Sequence, residues 1–533
     1  MNKEKEMILE ENLWKVCYKL SLPAIIAMVL YGLNVIFDGV FVGRLVGEAA
    51  FAGISIVYPL TQLSLGLGSL VGVGAGSYLS ILIGEGDRET QGKIVGNANL
   101  ISIVVTAVMM FFCFIFMTPL LKSIGADNEA LSYAVSYFRI TLIGSIFWII
   151  GLAYNMIVRA EGKMKTAAIM MGIGLLVNII SNYILMKIFN MGVAGAAWGT
   201  NIGMFVYALL FVIYCKRGRA SFNANIFTVR ADKQIIKEIV SLGMSSFIMS
   251  VMGIIQGVII LRALKAYGSD LDITFYGAVF RIFNFSLTPI YGLMRALQPV
   301  AGINYGAERY ERSISSFKIF SFVALIIMLP FWLVSMISPR LVLGSMLPQV
   351  TFDAEYIFSF RIFMSIAPLL SVTMTAMTFW PSIKKAAPAM VIGLGRQLFL
   401  YIPLMIILPG IFGIQSIYIG SFAIDVFLSI IVILILSIIV ALIMSKSIGL
   451  YRNVQRKLDK VLGKTGENLT GIRVIRAFSK EKSEISEYDT ATEDLYKDQV
   501  RVGNISALLN PLTYVVVRNS SNTSGRRNTG KYR

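Results

Sequence analysis

The sequence predicts an all-α membrane protein of twelve transmembrane helices, arranged as two six-helix lobes related by a parallel internal repeat. Three observations lead there. The chain is 56% hydrophobic and only 15% charged, whereas soluble domains are about a quarter charged. Apolar runs of about 20 residues, long enough to cross a bilayer, recur from near residue 16 to near residue 445. Short motifs of the first half return in the second at an offset of about 220 residues.

The spans are placed at 16–41, 51–83, 94–117, 133–158, 165–187, 192–214, 236–261, 274–298, 314–337, 357–380, 386–410 and 415–445. Residues 1–15 are polar and the first apolar run is too long for a cleaved leader, so no secretory signal is read. Lys and Arg number 15 in one set of short loops (Arg88 to Lys385) against 6 in the opposite set (Arg44 to Arg340). Basic loops stay in the cytoplasm, which puts both ends of the bundle there, in a bacterial cytoplasmic membrane.

The repeat is carried by four matches. Ile83-Gly84-Glu85-Gly86-Asp87-Arg88 returns as Tyr305-Gly306-Ala307-Glu308-Arg309, and Tyr137-Phe-Arg139-Ile as Ser359-Phe-Arg361-Ile. Ser21-Leu22 returns as Ser241-Leu242, and the Gly192–Gly199 stretch as Gly413–Gly420. Six spans per copy is an even number, so both copies enter from the same side and the cleft lies between lobes. The expected domains are residues 1–220, 221–446, a charged helical extension at 447–517, and a polar, disordered tail at 518–533.

Several function classes are excluded. The chain has no His and only three scattered Cys (Cys17, Cys113, Cys215), so histidine relays, disulfide frames and metal centres are not expected. The net charge of +18 suits anionic lipid rather than nucleic acid. Gly525–Lys531 imitates a P-loop, but Tyr532 stands where Ser or Thr is required and no strand precedes it. No ATP, no cofactor and no enzymatic activity are expected.

Asp38 is the residue that stands out, in Asn34-Val-Ile-Phe-Asp38-Gly-Val-Phe-Val-Gly43 of span 1. A carboxylate in a bilayer is costly unless paired, hydrated or protonated, so it reads as functional. Amide and hydroxyl partners occur in the same half: Asn155 (span 4), Asn178 and Asn182 (span 5), and Thr200 and Asn201 (span 6). They suit a hard monovalent cation or a protonated carboxyl, and equally serve as glue between helices. Asp425 in span 12 is the other deep carboxylate, either a secondary proton site or the partner of an arginine such as Arg396. Asn34, Met252, Gln256, Phe283 and Met294 are candidates for a substrate cavity. Small residues at every fourth position of span 2 (Ser64, Gly68, Gly72, Gly76, Ser80, Gly84) mark close helix packing.

Together these motifs resemble the multidrug and toxic compound extrusion (MATE) transporters, in their MepA-like bacterial branch, over residues 1–445. The carriers are Phe37-Asp38-Gly-Val-Phe-Val-Gly43, Gly76-Ser-Tyr-Leu-Ser80, Arg159-Ala-Glu-Gly162, Gly192-Val-Ala-Gly-Ala-Ala-Trp-Gly-Thr200 and Gln298-Pro299-Val-Ala-Gly302-Ile-Asn304-Tyr-Gly306-Ala307. The resemblance implies a monomeric antiporter that expels small amphipathic or cationic organic compounds in exchange for H⁺ or Na⁺, by rocking two lobes. It implies that Asp38 is the coupling carboxylate and that Asn155, Asn178 and Thr200 are its cation-site partners. Asn182 departs from the pattern, since many relatives carry an aspartate there. The lost charge favours H⁺ over Na⁺ bound at Asp38. Met252 falls near where another branch keeps a glutamate. Residues 447–517, with Tyr451-Arg-Asn-Val-Gln455 and Glu467-Asn-Leu-Thr-Gly471-Ile-Arg-Val-Ile-Arg476, resemble a fragment of the transmembrane domain of ABC exporters. The alternative readings are a lipid-linked oligosaccharide flippase of the same superfamily, an ABC exporter half, and a non-transporting receptor.

Overall fold

A computed structural model describes residues 3–124, 128–222, 226, 228–347, 350, 352–477 and 480–500. The expected tail at 518–533 and residues 501–517 of the extension lie outside the described residues. The chain divides into two compact units, Met1–Val426 and Phe427–Arg533.

Helices make up most of the described part of the first unit. A short helix α1 (Lys3–Glu10) precedes α2 (Leu13–Leu45), α3 (Glu48–Glu85), α4 (Arg88–Ile115), α5 (Met117–Ile124) and α6 (Asn128–Ala160). Helix α7 (Met164–Tyr183) runs into a π-helical turn at Ile184–Ile188 and is followed by α8 (Gly192–Lys216). Then come α9 (Lys233–Tyr267), α10 (Asp270–Gly306), α11 (Tyr310–Ile337), α12 (Pro339–Met346), α13 (Ala354–Ser365) and α14 (Ala367–Ser382). A second π-helical segment, Gly395–Tyr401, joins α15 (Ala386–Leu394) to α16 (Ile402–Phe412), and α17 spans Gln415–Ala477.

Helix ends follow local chemistry. Asn12 and Asp87 cap α2 and α4 by accepting from Trp14 N and Thr90 N, and Asp232 caps α9 through Gln234 N and Ile235 N. Ser269 and Asp272 form a reciprocal capping box on α10, satisfying donors that a helix start leaves open. Gly86, at φ 83°, closes α3 in the left-handed conformation.

Among the described residues, ten helices are long and apolar enough to cross a membrane, against the twelve expected. The eighth expected span is present as α10, but Arg281, Asn284 and Arg295 dilute its apolar run. The twelfth opens α17, of which residues 428–453 are described as backbone only.

Helix α3 organises the first unit. It packs against α6 and α9 and also contacts α10. Its small-residue stripe faces α6: a methyl group on Gly72 would lie 2.9 Å from Met156 Cγ. On its other side α3 meets α9 backbone to backbone, where a side chain on Gly74 would strike the Ile239 carbonyl and one on Gly243 the Leu70 carbonyl. This tight seam continues to the Gly84 end, against Ile303 and Gly306 of α10. Beyond Gly66 and Ser250 the helices offer each other little cover: Tyr58 is 51% exposed, and Gly253 and Gly257 meet no atom within 4 Å. The bundle is therefore sealed at the basic-loop end.

Helix α1 lies across that seal. Ile8 is fully buried, Lys5 Nζ donates to the carbonyls of Ile83 and Gly84 at 2.6 and 3.2 Å, and Arg309 and Arg312 donate to the carbonyls of Leu9 and Ile8. The polar N-terminal stretch, unassigned by its composition, is thus a clip built on one apolar residue and three cations.

In the second unit, residues 481–500 form a helix that runs back along the end of α17. Lys457 pairs with Asp498 at 2.9 Å and Lys464 with Glu487.

Candidate functional site

Asp38 sits half-buried in the last third of α2, the helix that packs on α7. Asn182 donates to its Oδ1 at 2.7 Å, and Asn34, one turn earlier on α2, donates to its Oδ2 at 3.3 Å. One turn before Asn182 on α7, Asn178 donates to Thr200 Oγ1 at 3.1 Å, and Thr200 in turn donates to Ala196 O on its own helix. Tyr137 of α6 lies near both Thr200 and Asp38. Asn34, Asn178 and Asn182 are 6%, 0% and 1% exposed, so water does not satisfy them. Their three Oδ1 atoms are buried with no hydrogen-bond partner. A carboxylate beside three unsatisfied amide oxygens fits a small bound cation, because buried acceptors are normally paired.

Asp38 thus lies with Asn178, Asn182 and Thr200, expected as its cation-site partners, and with Asn34, expected instead at the substrate cavity. Asn155 is different. Its Nδ2 donates to Ala167 O at 2.9 Å and its Oδ1 accepts from Arg159 Nε at 2.5 Å, so both of its polar atoms are committed away from Asp38. Asn201 donates to Ile140 O and acts as glue. Tyr137 is the member that sequence reasoning missed; a tyrosine on an amphipathic run gives no signal of its own.

The alternative left open for Asp425 resolves to pairing: Arg396 Nε and Nη2 reach Oδ1 and Oδ2 at 2.5 and 3.0 Å. Next to this fork Gln397 donates to Gln256 at 2.9 Å, and Tyr401 meets Ser421. Arg396, Gln397 and Tyr401 all belong to the π-helical segment, a widening that often marks functional positions. Of the other cavity candidates, Phe283 packs edge-on against Phe363, Met294 packs on the main core, and Met252 is half-buried.

At the sealed end Glu161, fully buried in the turn between α6 and α7, accepts from Tyr214, Lys163 and the Ser221 amide at 3.0, 3.1 and 2.6 Å. Burial pushes its carboxyl above the usual range, against the pull of Lys163 and Ser221.

Comparison with known proteins finds similar sequences and similar folds. The MatE family model matches residues 23–184. The solved MATE multidrug transporter DinF-BH superposes with a TM-score of 0.73 at 28% identity, covering 80% of this chain and 97% of that one. The bundle is similar to those of MATE transporters. An outward-facing MATE transporter of the MOP superfamily gives a TM-score of 0.73 at 21% identity, over 81% of this chain and 96% of that one. Among curated relatives, the multidrug export protein MepA of Staphylococcus saprophyticus is 28% identical over 301 residues, 56% of this chain and 66% of the relative. MepA of Staphylococcus aureus is 29% identical over 297 residues, 56% of this chain and 65% of the relative. The match therefore spans slightly less than two thirds of those relatives' length. The ABC transporter transmembrane region model matches residues 390–520. That similarity starts within the expected eleventh MATE span, well before residue 447.

Proposed function

We propose that the chain exports small amphipathic compounds by cation-coupled antiport, with Asp38 as the coupling group. The observation that carries this reading is the buried site in which Asp38 accepts from Asn182 and Asn34 beside three unsatisfied amide oxygens. MepA, the relative named as a multidrug export protein, supports the substrate class. The coupling ion is H⁺. Protonation turns one Asp38 oxygen from an acceptor into a donor, and rotation of the Asn34 or Asn182 amide supplies the acceptor it then needs. The same oxygens favour Na⁺ as the second reading, because a hard cation takes oxygen ligands from carboxylate and amide together.

The seal supports alternating access. The basic loops place the α3–α9–α10 seam in the cytoplasmic half, so the bundle opens outward and Asp38 takes its ion from that side. Ion binding drives transport only if it favours one facing of the bundle over the other. Opening the inner end requires the Gly74–Ile239 and Gly243–Leu70 contacts to part and α1 to release Ile83 and Gly84. On this reading the protein lies in the bacterial cytoplasmic membrane, and the chain enters and leaves the helical bundle on the cytoplasmic side.

The test is dye efflux from proteoliposomes carrying the full chain, under a pH gradient alone and a Na⁺ gradient alone. Efflux driven by the pH gradient supports proton coupling; efflux only with Na⁺ selects the second reading. No efflux under either gradient overturns antiport.

A further inference from the structure

A second charged cluster, unrelated to Asp38, lies where α6, α8 and α10 meet. Arg159, at the end of α6, is 2% exposed. Its Nε is held by Asn155 at 2.5 Å, its Nη2 touches Met171 Sδ at 3.9 Å, and its Nη1 is buried with no partner. Arg295 of α10 is half-buried and places Nη1 3.5 Å from Met156 Sδ. The two guanidiniums are within Coulomb reach of each other, and Arg295 also of Tyr207, Tyr291 and Tyr31. The Tyr207 hydroxyl is another buried polar group without a partner. Among the described residues, neither arginine takes part in an ion pair.

Two like charges near each other in the interior of a membrane protein repel and are poorly hydrated, and thioether sulfur is a weak acceptor. Such groups persist when an opposite charge visits them. A planar guanidinium holds carboxylate, sulfonate or phosphate through paired N–H groups. Here Arg159 Nη1 and the Tyr207 hydroxyl supply two further unused donors, and Met156, which Arg295 touches, lies three residues before Arg159 on α6. Tyr31 and Tyr291, with Tyr58 near them, add aromatic surface to this neighbourhood.

We propose that Arg159, Arg295 and Tyr207 form a binding site for the oxyanion of an amphipathic molecule, so that the transported class includes acidic and zwitterionic compounds. The site extends the export reading as to substrate, but binding there stands independently of coupling at Asp38. The oxyanion comes either from a free organic acid or from the phosphate of a lipid headgroup.

The test is equilibrium binding to the purified full chain in phosphatidylcholine nanodiscs, with naphthalene-2-sulfonate and the neutral naphthalene-2-sulfonamide as probes. The sulfonate is expected to bind at least tenfold tighter than the sulfonamide. Arg295→Gln removes that preference, and Arg295→Lys keeps most of it. Asp38→Asn leaves it intact, which separates failure of this site from failure of coupled export. Repeating the measurement with phosphatidylglycerol identifies the occupant: weakened sulfonate binding in wild type, but not in Arg295→Gln, assigns the lipid phosphate, whereas unchanged binding assigns the free acid. Equal affinity of the two probes for wild type, or a preference that survives Arg295→Gln, overturns the site. Arg295 is less buried than Arg159, so its variants report on binding even if changes at Arg159 prevent folding.

Discussion

Asn182 of α7 donates to Asp38 of α2 at 2.7 Å, tying together two helices whose positions in the chain are 144 residues apart. This bond orients the one membrane carboxylate that the sequence singles out, while leaving the Asn182 oxygen free to receive a cation.

Removing that bond tests the orientation. A hydrogen bond to a charged group contributes about 1.5–3 kcal/mol, so Asn182→Ala is expected to change the apparent affinity for the coupling ion about tenfold or more. Efflux rates titrated against external pH and Na⁺ measure this. An unchanged titration would remove Asn182 from the site.

The Arg396–Asp425 fork is predicted to be structural. Arg396→Met takes the charged partner from a buried carboxylate, which costs about 3–5 kcal/mol, whereas replacing both partners with apolar residues is close to neutral. Thermal unfolding in detergent should show a large loss for Arg396→Met and recovery in Arg396→Met/Asp425→Leu. Lack of recovery contradicts a purely structural pair.

Glu161 gives the sealed end a pH dependence. Its folded carboxyl is held above the ordinary value of 4.5 by burial, so the folded state binds the proton more tightly than the unfolded chain. That stability is fully present below about 4.5 and is lost as pH rises through the raised folded value. Glu161→Gln is expected to flatten this dependence while keeping the bond from the Ser221 amide, and Glu161→Ala to destabilise at every pH. Melting temperatures from pH 4 to pH 8 decide it; identical slopes in wild type and Glu161→Gln contradict the assignment.

Helix α1 is predicted to hold the inner end shut. In a background lacking Cys17, Cys113 and Cys215, a cysteine placed at the fully buried Ala301 should react faster with a permeant maleimide when Ile8→Glu is added. Lys5→Ala, which loses only the bonds to Ile83 and Gly84, should have a smaller effect in the same direction. Equal labelling rates in all three proteins dismiss the clip.

The spans were legible because bilayer thickness imposes a run length that composition reveals at once. The small-residue stripe of α3 announced close packing, although not that Gly74 serves α9 while Gly72 serves α6. Asp38 and Asn182 were legible as rare polar residues in apolar helices, whereas Asn155 was misplaced. It lies four residues before Arg159 on α6, and that neighbour on the same helix face is the stronger partner. Arg295 and Tyr207 carry no motif; only folding brings them to Arg159. The π-helical segment at Gly395–Tyr401 likewise shifts facing within a helix in a way that period counting misses.

The central claim is that Asp38 couples ion entry to export. The direct measurement is ethidium efflux from proteoliposomes driven by an imposed gradient of the coupling ion, comparing wild type with Asp38→Asn at equal reconstituted amounts. The account predicts that Asp38→Asn still binds dye but loses gradient-driven efflux by at least an order of magnitude. Gradient-driven efflux at the wild-type rate would contradict it.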